Sequence, residues 1–340
     1  RRAVGRRRHA GEEFARERHP GLDVDIAGGD HETSEQQLLD LAHPEAPPRL
    51  VAAREEGVQY SLADRGDDLF ILTNADDAID FKLVTAPLDA PQRANWKDLI
   101  PYRAGIYLID FELYAHHLIR LERANALPSV VICELATGEE HAIAFDEAAY
   151  SLDTMGSYEF ETANLRFSYS SMTTPSEVYD YDMAKRTRVL RKRQEIPSGH
   201  DPADYVTTRI MARSHDGAEV PVSILHRKDF IRNGRAPLLL YGYGSYGTAM
   251  PASFNANRLS LVDRGFAYAI AHIRGGSDKG WGWFLAARRM TKKNTFTDFI
   301  ACAEHLIRTG HGCAGKIVAH GGSAGGMLMG AVNNMRPDLW

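Results

Sequence analysis

The sequence predicts a doubly wound parallel α/β sheet preceded by an incomplete β-propeller, and three observations carry that prediction. Four short segments recur along the first half of the chain: Gln37-Leu38-Leu39-Asp40, Lys82-Leu83-Val84-Thr85, Val130-Val131-Ile132-Cys133 and Val178-Tyr179-Asp180-Tyr181, set 45, 48 and 48 residues apart. A period of that size with several short strands inside it marks a propeller blade. Beyond residue 200, fully apolar runs alternate with helical periodicity, the pattern of strands covered by helices on both faces. Residues 318–330 then hold Gly321-x-Ser323-x-Gly325 between an apolar run and a Met/Leu/Ala-rich stretch. A serine between glycines at a strand-to-helix bend is the nucleophile elbow of the α/β-hydrolase fold.

Residues 1–29 are expected to stand apart as a basic leader without fixed structure. Arg1, Arg2, Arg6, Arg7 and Arg8 cluster there ahead of mixed charges with no apolar periodicity. Residues 30–197 are expected to form the propeller part, about its last three to four blades. Strands are predicted at 69–72, 79–84, 106–109 and 165–169, where apolar and polar residues alternate; an all-β sandwich would share that pattern. Ser198-Gly199-His200-Asp201-Pro202 reads as a linker. Residues 198–340 are expected to be the N-terminal part of an α/β-hydrolase domain that ends just after the elbow. In it, 205–214 and 220–227 pair as a hairpin across Asp216-Gly217, a favoured turn pair. Apolar strands follow at 236–241, 266–273 and 317–319. A helix is predicted over 297–308, where Phe299, Ile300, Ala303, Leu306 and Ile307 share a face, and another over 324–335.

The bulk numbers exclude several classes of function. A chain of 340 residues with 44% hydrophobic and 25% charged residues is a soluble globular composition. A formal charge of −5 gives no reason to expect nucleic acid or a membrane surface as partner. There is no run of 18 apolar residues and no apolar core of a secretory signal near the N-terminus. Cys133, Cys302 and Cys313 are odd in number and lack metal-ligand spacing, so they read as reduced thiols of a cytoplasmic protein. His116-His117 has no partners at metal spacing, and no phosphate loop or dinucleotide fingerprint occurs, so neither metal nor cofactor is expected.

The chemistry concentrates at Ser323. A serine hydroxyl is a weak nucleophile until an adjacent base takes its proton. In this fold the acid and base follow the serine in sequence. Seventeen residues follow Ser323, and the triad Asp and His are expected to be absent from the chain. His320 precedes the bend and should point away from Ser323. A flexible glycine linker would not be flanked by an apolar strand and a helix, so Gly321, Gly322, Gly325 and Gly326 are assigned to the elbow.

The run Leu240-Tyr241-Gly242-Tyr243-Gly244-Ser245-Tyr246-Gly247 resembles the prolyl oligopeptidase family, as do Arg274-Gly275-Gly276, Lys293-Asn294-Thr295-Phe296-Thr297-Asp298-Phe299, the elbow glycines and Arg336-Pro337-Asp338-Leu339. Ala324 after the serine and the following Met327-Leu328-Met329-Gly330 resemble its oligopeptidase B branch. The resemblance covers residues 30–340. It implies a serine peptidase of short peptides cut after Lys or Arg, with a propeller that restricts access to small substrates. It implies Ser323 as nucleophile, the Tyr243 hydroxyl and the Ala324 backbone N–H as the oxyanion hole, and Tyr246 as a wall of the substrate pocket. It implies structural roles for Arg274-Gly275-Gly276 and for Asp338. Trp281-Gly282-Trp283-Phe284-Leu285 departs from the family, which more often has an acid after the Trp-aromatic pair, and the acids that select Lys or Arg are missing from the chain. Cleavage after proline, and a non-catalytic propeller that binds partners, are the alternative readings.

Overall fold

The computed structural model describes residues 22–24, 28–29, 32–40, 42–157 and 159–340. Most of the expected leader, residues 1–21, lies outside the described residues, but its boundary at residue 29 is too late. Strand β1 (Leu22–Val24) pairs antiparallel with β4 (Gln37–Asp40), and β2 (Gly28–Gly29) pairs with β3 (Ser34–Glu35). Three residues are too few to show an alternation in sequence; they become a strand because β4 offers an edge. On its other side β4 pairs with β5 (Arg49–Leu50).

Three four-stranded antiparallel sheets follow, each built in chain order. The first is β6 (Tyr60–Arg65), β7 (Asp68–Thr73), β8 (Lys82–Pro87) and β9 (Lys97–Ile100). The second is β10 (Tyr107–Leu113), β11 (His117–Ala124), β12 (Leu127–Glu134) and β13 (Glu140–Ala142). The third is β14 (Tyr150–Thr154), β15 (Asn164–Ser171), β16 (Glu177–Asp182) and β17 (Thr187–Arg193). The repeat visible in sequence is therefore a repeat of third strands: its last three members lie on β8, β12 and β16. Those strands have a neighbour on each side, which is why Leu83, Val84, Val130 and Ile132 are buried and the apolar signal recurs there. The strand predicted at 79–84 starts late, at Lys82. Phe81 is left-handed (φ 66°), and the Asp80 carboxylate is held by the N–H groups of Gly105 (2.9 Å) and Trp281 (2.8 Å), which bends the chain before β8 begins.

The second half is one five-stranded sheet in the order β18-β19-β21-β20-β22. Its strands are β18 (Tyr205–Arg213), β19 (Glu219–Arg227), β20 (Leu238–Tyr241), β21 (Ala267–Ala271) and β22 (Ile317–His320). The last three run parallel, whereas β18, β19 and β21 are joined antiparallel, so the sheet is mixed rather than wholly parallel. A tight turn can only join antiparallel strands, and here Gly217 supplies it at φ 91°. Helices α1 (Ala256–Val262), α2 (Trp281–Leu285), α3 (Lys293–Arg308) and α4 (Ala324–Met335) complete the half. Helix α1 packs Leu259 and Val262 on Leu225, Tyr268 and Ile270. On the opposite face α3 and α4 pack Phe299, Leu306, Leu328 and Val332 on Ile224, Leu240 and Ala269. Helix α3 begins four residues before the predicted start, at Lys293, and its first turn adds Phe296 to the packed face.

The two halves touch through named contacts. Trp281 lies against Phe81 and Tyr107 with centroids 6.2 Å from each ring. Phe254 N–H donates to Ser170 Oγ (2.9 Å), and the turn after β11 donates from Ala126 N–H to the Asp278 carbonyl (2.6 Å).

Candidate active site

Parallel pairing puts the two candidate catalytic segments side by side. Tyr241 on β20 is in register with His320 on β22, and the Gly242 N–H donates to the His320 carbonyl at 3.0 Å. The strands thus end level, and the next residues outward carry Tyr243 on one chain segment and Ser323 on the other. Such strand ends are where parallel sheets place their chemistry.

Ser323 sits at φ 54°, ψ −120°, a backbone state that residues with a Cβ rarely adopt. Strain of that kind is what an elbow requires to lift its side chain out of the sheet. The side chain is exposed, and among the described residues its Oγ has no hydrogen-bond partner. The bend is closed by Gly325 N–H to Gly322 O and Gly326 N–H to Ser323 O, each at 2.8 Å. Crowding falls on two of the four elbow glycines. A Cβ on Gly321 would lie 2.7 Å from the Gly325 carbonyl oxygen and 2.8 Å from that of Gly242, and one on Gly325 would lie 3.1 Å from the Gly242 oxygen. Gly322 and Gly326 face open space.

Ala324 opens α4, so its N–H has no acceptor within the helix. Tyr243 packs beside the elbow: the space of a Gly325 Cβ is 3.7 Å from Tyr243 Cδ2 and 3.8 Å from its Cα. The Tyr243 ring and the Ala324 backbone N–H therefore both lie beside the elbow. Tyr246 is left-handed (φ 58°) and 63% exposed, on the solvent side of the same loop.

The other candidates separate from the serine. His320 is exposed at the end of β22, with its ring edge-on to Tyr241 at 5.4 Å. Asp338 pairs with Arg336 (2.7 Å), which in turn pairs with Glu304 and pins the end of α4 to α3. Arg274 is buried and structural. Its Nε and Nη2 hold both oxygens of the fully buried Asp298 carboxylate (2.8 and 2.6 Å), and its Nη1 reaches Asp216 in the hairpin turn (2.6 Å). These acceptors raise its guanidinium further above the ordinary arginine value. Among the described residues no cluster of His, Cys, Asp and Glu could hold a metal, and no helix is long and apolar enough to cross a membrane.

Sequence reading missed one Ser-His-Asp constellation, because its members lie on separate elements. His272 Nε2 is 2.8 Å from Ser223 Oγ, and its Nδ1 is 2.9 Å from Asp278 Oδ1. The three residues are 1%, 1% and 2% exposed. Ser223 lies inside β19, paired on both sides and closed to any substrate. The chain of hydrogen bonds satisfies buried polar groups and also fixes Met250, whose N–H donates to Asp278 Oδ1 (3.0 Å). It is not a second nucleophile.

Comparison with known proteins agrees with this layout. The profile of the prolyl oligopeptidase N-terminal β-propeller domain matches residues 24–194, and that of the prolyl oligopeptidase family matches residues 252–340. Dipeptidyl aminopeptidase BI of Pseudoxanthomonas mexicana is 43% identical over 86% of this chain and 40% of its own length. Protease 2 of Moraxella lacunata is 33% identical over 91% of this chain and 44% of its own. The structure of oligopeptidase B from Trypanosoma brucei with covalently bound antipain superposes with a TM-score of 0.87 at 36% identity, over 94% of this chain and 46% of that one. The chain thus spans less than half the length of each of these relatives. Propeller strands and elbow-bearing sheet occur in the order those profiles demand, and the chain belongs to the prolyl oligopeptidase family.

Proposed function

We propose that this chain carries the nucleophile and the oxyanion hole of a serine endopeptidase of the oligopeptidase B type, which cuts short peptides after Lys or Arg. One observation carries the proposal: a strained, exposed serine beside Tyr243 at the level ends of two parallel strands. Ser323 Oγ attacks the scissile carbonyl carbon while a histidine base takes its proton. The oxyanion that forms accepts from the Ala324 N–H and the Tyr243 hydroxyl, donors of a kind worth about 3 kcal/mol each in the transition state. The amine leaves with the proton held by the base, and water releases the acyl group from Ser323. No histidine bonds to Ser323 among the described residues, so the base and its orienting Asp come from outside them. The propeller part, up to residue 197, limits access and 198–340 form part of the catalytic domain, with Tyr246 as a wall of the substrate pocket. Three free thiols support a cytoplasmic location.

The relative named dipeptidyl aminopeptidase BI favours a second reading, removal of dipeptides from a free N-terminus. The test uses the full-length protein that contains this chain, with N-blocked arginyl, N-blocked prolyl and free dipeptidyl-arginyl fluorogenic peptides. Preference for the blocked arginyl substrate, abolished by Ser323→Ala, is expected. Faster prolyl cleavage would assign the protein to the proline-cutting branch, and dependence on a free amine to the exopeptidase reading. Stable partner capture that survives Ser323→Ala, without any cleavage, would make the propeller a binding module. The chain alone, with no histidine bonded to Ser323 among the described residues, is expected to react with a fluorophosphonate orders of magnitude more slowly than the full-length protein.

A further inference from the structure

Lys292 stands one residue ahead of the Lys293–Phe299 run and has no part in the mechanism above. Its placement gives it one. The ammonium is half-buried at the start of α3 and donates to the Gly244 carbonyl and to Ser245 Oγ, the latter at 2.9 Å. No carboxylate forms an ion pair with it among the described residues, and burial lowers its pKa below the ordinary lysine value. A half-buried cation without a counter-ion depends on its hydrogen-bond acceptors for stabilisation.

Those acceptors, a backbone carbonyl and a side-chain hydroxyl, belong to the two residues that follow Tyr243. Gly244 is left-handed (φ 65°), and a Cβ there would meet Thr295 Cγ2 at 2.5 Å and Ile273 Cγ1 at 2.9 Å. On the other side of its carbonyl, Gly275 approaches so closely that a Cβ would lie 2.0 Å from the Gly244 oxygen. Thr295 Oγ1 donates to the Arg274 carbonyl (2.8 Å), and Gly247 N–H donates to the Gly275 carbonyl (3.0 Å), which locks this turn to the tyrosine loop. The Gly244–Ser245 peptide is thus clamped between the first turn of α3 and the turn after β21, with Lys292 as its one charged donor among the described residues.

We propose that Lys292 is a positioning residue for the oxyanion hole: by holding the Gly244 carbonyl it fixes the backbone from which the Tyr243 hydroxyl is aimed. The inference rests on the assignment of Ser323 and Tyr243 above. A phenol displaced by a fraction of an ångström donates poorly to an oxyanion yet still tolerates the bound peptide, so the loss falls on turnover rather than binding.

The experiment is a double-mutant cycle in the full-length protein containing this chain, with an N-blocked arginyl substrate and Ser323→Ala as the control. Lys292→Met is expected to lower kcat by roughly tenfold to a hundredfold with KM within about twofold. Lys292→Arg, which keeps a charged donor, is expected to recover most of that loss. The double variant Lys292→Met/Tyr243→Phe is expected to be within about threefold of Tyr243→Phe alone, because a displaced loop has no hydroxyl left to misplace. Losses that multiply, or a Lys292→Met protein with normal kcat and only a lower unfolding midpoint, would overturn the inference and leave Ser323 in place. If Ser323→Ala retains full activity, the assignment of the nucleophile falls and the inference falls with it.

Discussion

Ser323 allows backbone strain to be measured almost in isolation. Its side chain is exposed and without a hydrogen-bond partner among the described residues, so truncating it removes little packing and no bond. What remains is the cost of holding a residue with a Cβ at φ 54°, ψ −120°, about 1–3 kcal/mol for conformations of this kind. Ser323→Ala keeps the Cβ and the strain; Ser323→Gly removes both but adds about 0.5–1 kcal/mol of unfolded-state entropy to be lost on folding. The glycine variant is therefore expected to exceed the alanine variant in stability by about 1 kcal/mol, although both lack the nucleophile. Urea unfolding read by tryptophan fluorescence suits the measurement, since Trp281, Trp283 and Trp340 all lie in the α/β half. Two controls separate strain from crowding. Gly321→Ala drives a Cβ to 2.7 Å from a carbonyl oxygen and should cost about 1–3 kcal/mol, whereas Gly322→Ala enters open space and should change stability by less than about 1 kcal/mol. A Ser323→Gly protein no more stable than Ser323→Ala would refute the strained elbow, and with it the physical basis for the lifted serine.

Two further outcomes follow from buried charge. Arg274→Met strands the fully buried Asp298 carboxylate and should cost about 3–5 kcal/mol in urea unfolding; Asp298→Asn leaves Arg274 its Asp216 partner and should cost less, and a loss under about 1 kcal/mol for Arg274→Met would contradict the network. His311 is buried, with its pKa lowered from 6.5 to about 4 by burial first and by nearby Arg232 second. Below pH 4 folded and unfolded chains both bind its proton, between 4 and 6.5 only the unfolded chain does, and above 6.5 neither does. Stability should therefore rise with pH across 4–6.5, by about 3 kcal/mol at most, and His311→Asn should flatten that part of the pH–stability curve; an unchanged slope in the variant would assign the dependence elsewhere.

The sequence by itself determined the elements whose signals are local. The elbow serine, the hairpin across Asp216-Gly217 and α4 over residues 324–335 each depend on neighbours in the chain, on glycine at a bend or on apolar spacing along one helix. The blade period was legible because the third strand of each four-stranded sheet, as at Leu83 and Val130, is buried between two others. Tertiary structure decided what depends on residues far apart. The early strand Leu22–Val24 exists only because β4 offers it an edge. The late start of β8 reflects Asp80 being captured by Trp281, 201 residues away. The clamp of Lys292 on the loop of Tyr243 joins segments 48 residues apart, and the buried Ser223-His272 pair spans 49. A linear pattern records which side chains must be buried, but not which donor meets which acceptor once β20 and β22 end level.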